Sequence, residues 1–225
     1  MNGGIKLHLG CGSITPAGWV HMDVSWNAWL ARYPVFRRFL AVFGTVPREQ
    51  LRVPWNSNIL IRDVRRPLPF PDRSVRAVYT SHMLDFLYLS EGKRLLKECH
   101  RVLKPQGIIR VVVEDLSAAV QEYLGERTAL DLPEELKGLP PMDRLMMRIL
   151  LRPEPVRGST LYRSYHKLKD LHRRKWGYDA QSLIHHLQEA GFTHVSQRAF
   201  LDSRIDGIVE IEKKSGIFVE GIKPG

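Results

Sequence analysis

Short apolar runs alternate along this chain with longer stretches in which apolar residues return every three or four positions. The first pattern marks buried strands and the second amphipathic helices, and their regular alternation predicts βαβ units with a mostly parallel sheet. Strands are expected over 5–9, 19–23, 58–61, 75–80 and 108–113. The clearest helix spans 90–103, where Leu95, Leu96, Cys99, Val102 and Leu103 share one face, Ser90 is placed to cap the first turn, and Lys104, Pro105 and Gly107 end it. A second helix runs from Asp179, a good N-cap, through Leu183, Ile184 and Leu187 to Gly191. Two last strands, 194–200 and 216–222, flank the polar stretch 202–214 and predict an antiparallel pair at a sheet edge. The expected fold is therefore α/β, a Rossmann-like doubly wound sheet, mostly parallel, with an antiparallel C-terminal edge pair.

Two segments break the alternation. Residues 25–56 carry Trp26, Trp29, Tyr33, Phe36, Phe39 and Phe43 at helical spacing, a run that suits either core packing or a substrate platform. Residues 116–178 include Leu145, Met146, Ile149 and Leu150 opposite Arg144, Arg148 and Arg152, an amphipathic helix with a basic edge. Prolines 133, 140, 141, 153 and 155 cut the remainder into short pieces. Both segments read as helical insertions forming a lid over the substrate site, within a single domain spanning 1–225.

Charge sharpens the picture of partners. The chain of 225 residues has a formal net charge of +10, which draws phosphates, nucleic acid or acidic lipid headgroups. The charge is uneven: between Arg144 and Lys175 stand ten Lys or Arg against two acids, a surplus of +8. No run of 18 apolar residues is present, and strand pattern begins at Ile5, so a cytoplasmic protein without signal peptide or membrane span is expected. Two cysteines, Cys11 and Cys99, support neither a disulfide framework nor a thiol-rich zinc site, and no His, Asp and Cys set has metal-ligand spacing.

The chemistry concentrates at strand ends. Leu7-His8-Leu9-Gly10-Cys11-Gly12 sets a glycine pair directly after a buried strand, where a ligand can approach the backbone. Asp23 ends the next strand, where a carboxylate can accept hydrogen bonds from ribose hydroxyls. Asp63 and Val64 follow the third, placed to meet an adenine edge, although Asp63 could instead pair with Arg62, Arg65 or Arg66.

In order, Leu9-Gly10-Cys11-Gly12, Gly18-Trp19-Val20-His21-Met22-Asp23, Asp63 with Pro67-Leu68-Pro69-Phe70-Pro71-Asp72, Ser81-His82-Met83-Leu84-Asp85-Phe86-Leu87, Leu103-Lys104-Pro105-Gln106-Gly107 and the closing Ser215 to Lys223 run form a set. The chain resembles class I S-adenosylmethionine-dependent methyltransferases, in particular the methyltransferase-11-like group. The resemblance covers roughly 5–116 and 178–223. It implies S-adenosyl-L-methionine as cofactor, with Leu9, Gly10, Cys11 and Gly12 along its methionine and ribose portion, Asp23 on the ribose, Asp63 and Val64 at the adenine, and Ser81 and His82 beside the sulfonium. Two features depart from that group. Asp23 follows Gly12 by 11 positions, too few for a full crossover helix, and Asp85 stands where a glutamate is frequent.

His82 is a candidate general base, since an imidazole near neutral pKa can take a proton from a hydroxyl, and equally a packed residue. Asp115, His166 and His172 are rival bases. Cys11 could be a nucleophile if its thiol were acidic, but a small residue is all that loop needs. The His185-His186 pair reads as surface or packing. The expected reaction is methyl transfer to an oxygen or nitrogen of a small or carrier-linked, anionic acceptor. The rivals are an RNA or tRNA methyltransferase, a non-catalytic cofactor-binding protein, and peripheral attachment of the 144–152 helix to an anionic membrane. The pattern leaves the oligomeric state open.

Overall fold

The computed structural model describes residues 4–33, 35, 55–125, 138–149 and 174–225. A seven-stranded sheet forms its centre: β1 (Ile5–Leu9), β2 (Val20–Asp23), β3 (Leu60–Ile61), β4 (Val75–Ser81), β5 (Leu103–Val113), β6 (Thr193–Arg198) and β7 (Ile217–Ile222). Their spatial order is β3-β2-β1-β4-β5-β7-β6. The first five pair in parallel, while β7 runs antiparallel to both β5 and β6. The expected α/β sheet with an antiparallel C-terminal edge is what forms.

Strand order reverses at β1, and the chain leaves the carboxyl ends of β1, β2, β4 and β5 on one edge. Doubly wound sheets open a crevice at such a reversal, because the connections depart to opposite faces. No helix joins β1 to β2, as the short interval between Gly12 and Asp23 required.

The helices are α1 (Trp26–Ala31), α2 (Leu89–Val102), α3 (Leu116–Tyr123), α4 (Pro141–Arg148), α5 (Ala180–Glu189) and the single turn α6 (Ile208–Ile211). α2 packs Leu95, Leu96, Cys99 and Val102 into the main core with Leu7, Leu9, Val78 and Val111 of the sheet. Its beginning differs from expectation. Ser90 lies inside the first turn, Tyr88 is the N-cap, and Glu91 reaches back to accept from the Tyr88 N–H at 3.0 Å. The helix thus starts two residues ahead of the expected Ser90 cap, and the Glu91 carboxylate secures that start. α5 begins as expected, with the Asp179 carboxylate accepting from Ser182 N–H at 2.7 Å.

The opposite face of the sheet holds an unusual group. His8, buried in β1, meets the rings of Tyr79, His21 and Trp19 edge-on at 5.2, 5.5 and 6.5 Å. Burial, with the nearby His21, holds the His8 pKa down at about 3. The unfolded chain therefore binds a proton between about pH 6.5 and 3 that the native protein refuses, and stability falls on acidification through that window by up to about 1.4 kcal/mol per pH unit. Equilibrium unfolding between pH 7 and 4 should show this slope reduced in His8→Phe, and an unchanged slope would contradict it.

Of the insertions, the structure describes α1, the pair α3 and α4 and the short stretches beside them; residues 36–54, 126–137 and 150–173, with Phe36, Phe39, Phe43, His166 and His172, lie outside the described residues. α1 is capped by Ser25 Oγ, which accepts from Ala28 N–H at 3.3 Å. It buries Ala28 and Leu30, while Trp26 stacks on Trp29 with ring centres 4.9 Å apart and both Trp26 and Tyr33 stay exposed.

Candidate active site

The turn after β1 is built by backbone. Gly10 and Cys11 N–H groups both donate to the Met22 carbonyl, at 2.9 and 3.2 Å, folding the loop over the end of β2. Gly10 and Gly12 have φ of +65° and +56°, the left-handed region that costs an L-residue about 1–2 kcal/mol. At Gly10 a side chain is also sterically barred, since a Cβ would lie 2.4 Å from Met83 Cγ. At Gly12 a Cβ would meet nothing within 4 Å, so open space adjoins the loop there.

Asp23 ties this turn to the next. Its two carboxylate oxygens accept from Gly12 N–H at 2.8 Å and Ser25 N–H at 2.6 Å, bridging the β1 loop to the start of α1. β3 adds Asp63 beyond Ile61, whose register partner is Asp23. Asp63, however, is held by Arg65, which donates from Nε and NH2 to both oxygens at 2.7–3.0 Å. Those hydrogen bonds keep its carboxyl below the usual carboxylate range. Val64 is buried in the main core, so its side chain packs inward.

At the end of β4 the register partner of Leu9 is Thr80, which sets Ser81 and His82 beside the glycine turn. His82 has a φ of 48°, and its N–H donates to Val112 O at 2.8 Å. Its ring Nε2 lies 2.9 Å from Ser215 O. A carbonyl only accepts, so in the neutral ring Nε2 carries the proton and Nδ1 keeps its lone pair. Burial lowers the His82 pKa, which favours that neutral, basic form.

Beyond His82, a cavity of about 370 Å³ opens between the ends of β4 and β5 and the segment entering α5, lined among others by Asp85, Glu114, Leu116, Ile149, Arg174 and Trp176. Asp85 is buried and its carboxylate Oδ2 sits 2.9 Å from Arg174 Nε. Arg174 NH2 continues to Glu114 at 3.0 Å. The main chain closes the same contact, with Lys175 N–H and Trp176 N–H donating to Asp85 O at 2.7 and 3.2 Å.

A family model described as a methyltransferase domain matches residues 37–111, which include β3, β4, α2 and most of β5. Among solved structures, an S-adenosylmethionine-dependent methyltransferase from Methanosarcina mazei superposes with a TM-score of 0.52 at 17% identity, over 98% of this chain and 92% of that one. Another such methyltransferase, from Mesorhizobium loti, gives 0.45 at 18% identity over 98% and 91%. No curated protein sequence matches the chain. The family model covers residues 37–111 of the 225, and the likeness to solved structures shows the fold that S-adenosylmethionine-dependent methyltransferases share.

The matched span excludes Gly10, Gly12 and Asp23, so the glycine turn is shown by geometry alone. Leu9, Gly10, Cys11, Gly12, Asp23, Ser81 and His82 converge on one sheet edge, whereas Asp63 is engaged by Arg65. Cys11 is buried, and burial with the Asp23 charge raises its thiol pKa to about 12, so no nucleophilic thiolate is available. Asp115 caps α3 by accepting from Ala118 N–H at 3.0 Å. On α5 the exposed His185 and the partly buried His186 gather with Glu189, and Glu189 is bound by Lys93 at 2.9 Å. Among the described residues no helix is long and apolar enough to cross a membrane.

The sequence reading passed over Glu114, Arg174 and Trp176 as members of the site and left Asp85 in doubt. The signal for Asp85 was its position in the Ser81-His82-Met83-Leu84-Asp85 run. Nothing local pointed to Arg174, which is 89 positions further along the chain.

Proposed function

We propose that this chain is an S-adenosylmethionine-dependent methyltransferase that binds its cofactor in the crevice between the β1 turn and Asp23 and transfers the methyl to an oxygen or nitrogen of a small acceptor. The observation that carries the placement is the Gly10 to Asp23 cradle: two left-handed glycines, open space at Gly12, and a carboxylate fixed at the end of β2. A carboxylate there keeps lone pairs for ribose hydroxyls, and a turn without side chains admits the methionine portion. When bound, the cofactor supplies an electrophilic methyl on sulfur.

Leu9, Gly10, Cys11 and Gly12 would hold it through backbone, Asp23 through its carboxylate, and Ser81 and His82 would border the methyl side. The Arg65 grip leaves Asp63 and Val64 to meet adenine through their backbone. His82, with Nδ1 free of the proton in the neutral ring, is favoured as the base over Asp115, whose carboxylate is spent on a helix cap. His172 lies outside the described residues. Most of the basic stretch that suggested an anionic or nucleic-acid acceptor lies there too.

Titration of S-adenosylhomocysteine into the wild-type protein by calorimetry tests the placement, with micromolar affinity expected. Gly10→Val should abolish binding, because its Cβ collides with Met83 and its φ strains any side chain. A folded wild type that takes up no S-adenosylhomocysteine would overturn the reading.

A further inference from the structure

We propose that the Asp85 cavity is the acceptor site and that it selects an amine or alcohol on an apolar ring, whose N–H or O–H is taken by Asp85. The inference rests on the cofactor placement proposed above, and it reverses the anionic acceptor that the charge of the chain suggested.

Asp85 is 2% exposed, and while Oδ2 faces Arg174, Oδ1 is buried with no hydrogen-bond partner. A buried carboxylate oxygen without a donor is costly, and a ligand N–H or O–H relieves that cost. The cations around it are engaged. Arg174 is shared between Asp85 and Glu114, and Lys175 Nζ donates to Phe86 O at 3.1 Å beneath the Tyr88 ring. A phosphate entering here would face two carboxylates and would have to strip Arg174 from them; a donor faces no such competition. Leu116, Ile149 and the half-exposed indole of Trp176 provide apolar walls, and about 370 Å³ matches a small ligand.

Position completes the argument. Asp85 follows Met83, whose side chain lies against Gly10, and Glu114 follows β5 on the same sheet edge. The cavity is thus separated from the cofactor crevice by only the Ser81 to Leu84 turn.

The test uses protein saturated with S-adenosylhomocysteine, titrated separately with 2-phenylethylamine, 2-phenylethanol and phenyl phosphate, and read by calorimetry and by the Trp176 indole N–H resonance. The amine and alcohol are expected to bind and move that resonance, and phenyl phosphate is not. Asp85→Asn should weaken the amine at least tenfold, with S-adenosylhomocysteine affinity retained. Ile149→Trp, which fills the cavity from a partly exposed wall and leaves the ion pairs alone, should block both. The proposal is overturned if phenyl phosphate binds more tightly than the amine, if neither amine nor alcohol binds, or if both variants bind the amine as the wild type does. Loss of S-adenosylhomocysteine binding in the wild type is read in the first step and strikes the cofactor placement instead.

Discussion

Arg110→Met is expected to destabilise the protein by about 3–5 kcal/mol, the usual penalty for removing one partner of a buried ion pair. Arg110 sits in β5 with no exposed side-chain surface, and all five of its N–H groups are used. Nε and NH2 form a fork on Glu212 at 2.7 and 2.8 Å, NH1 reaches Glu220 at 3.1 Å and Asp202 O at 2.8 Å, and NH2 also reaches Ala199 O at 2.9 Å. Glu212 and Glu220 are both fully buried. Without the guanidinium two carboxylates would be stranded in the sheet face, and the loop from Ala199 to Asp202 would lose its anchor. Urea unfolding at pH 7 measures the loss, and Arg110→Met combined with Glu212→Gln and Glu220→Gln should recover part of it. A single-variant loss below about 1 kcal/mol would show that water or a proton compensates the acids, contrary to this account.

Asp23→Ala is expected to carry the largest functional effect, weakening S-adenosylhomocysteine by at least tenfold and up to several hundredfold. The lower bound follows from one charge-assisted hydrogen bond at about 1.5–3 kcal/mol. The upper end follows from the second role of the carboxylate, because it also fixes Gly12 N–H and Ser25 N–H and so shapes the crevice. Asp23→Asn separates the two roles. Its amide oxygen can still serve one of the two N–H groups, so the variant should retain more order in the β1 turn than affinity for the ribose. Calorimetry gives the affinities, and amide hydrogen exchange at Gly12 and Ser25 reports the turn. Asp23→Ala binding as tightly as wild type would remove Asp23 from the site.

Elements dictated by local pattern were legible in the residue order. β1, β4, α2 and α5 announce themselves through apolar period and caps, since burial of one face is a local requirement. The glycine turn and Asp23 were legible for a similar reason: left-handed backbone and a strand-end carboxylate leave a short-range signature. The helix start differs because Glu91 secures Tyr88 as N-cap, whereas a pattern of capping residue types favours the serine two residues later.

What the residue order could not contain is pairing across distance. Arg110 looked like one of many basic residues, yet it meets Glu212 and Glu220 from 102 and 110 positions away and becomes the buried anchor of the C-terminal edge. Arg174 looked like part of a solvated basic run, yet it closes on Asp85 and Glu114 in the wall of a cavity. The sequence by itself determined the main strands and helices, the glycine turn and the class of fold, because backbone preference and one-sided burial are read within a few residues. Only the tertiary structure decided which charges are neutralised and where the Asp85 cavity opens, because ion-pair partners are chosen by proximity in the folded chain and long-range proximity leaves no periodic trace in the order of residues.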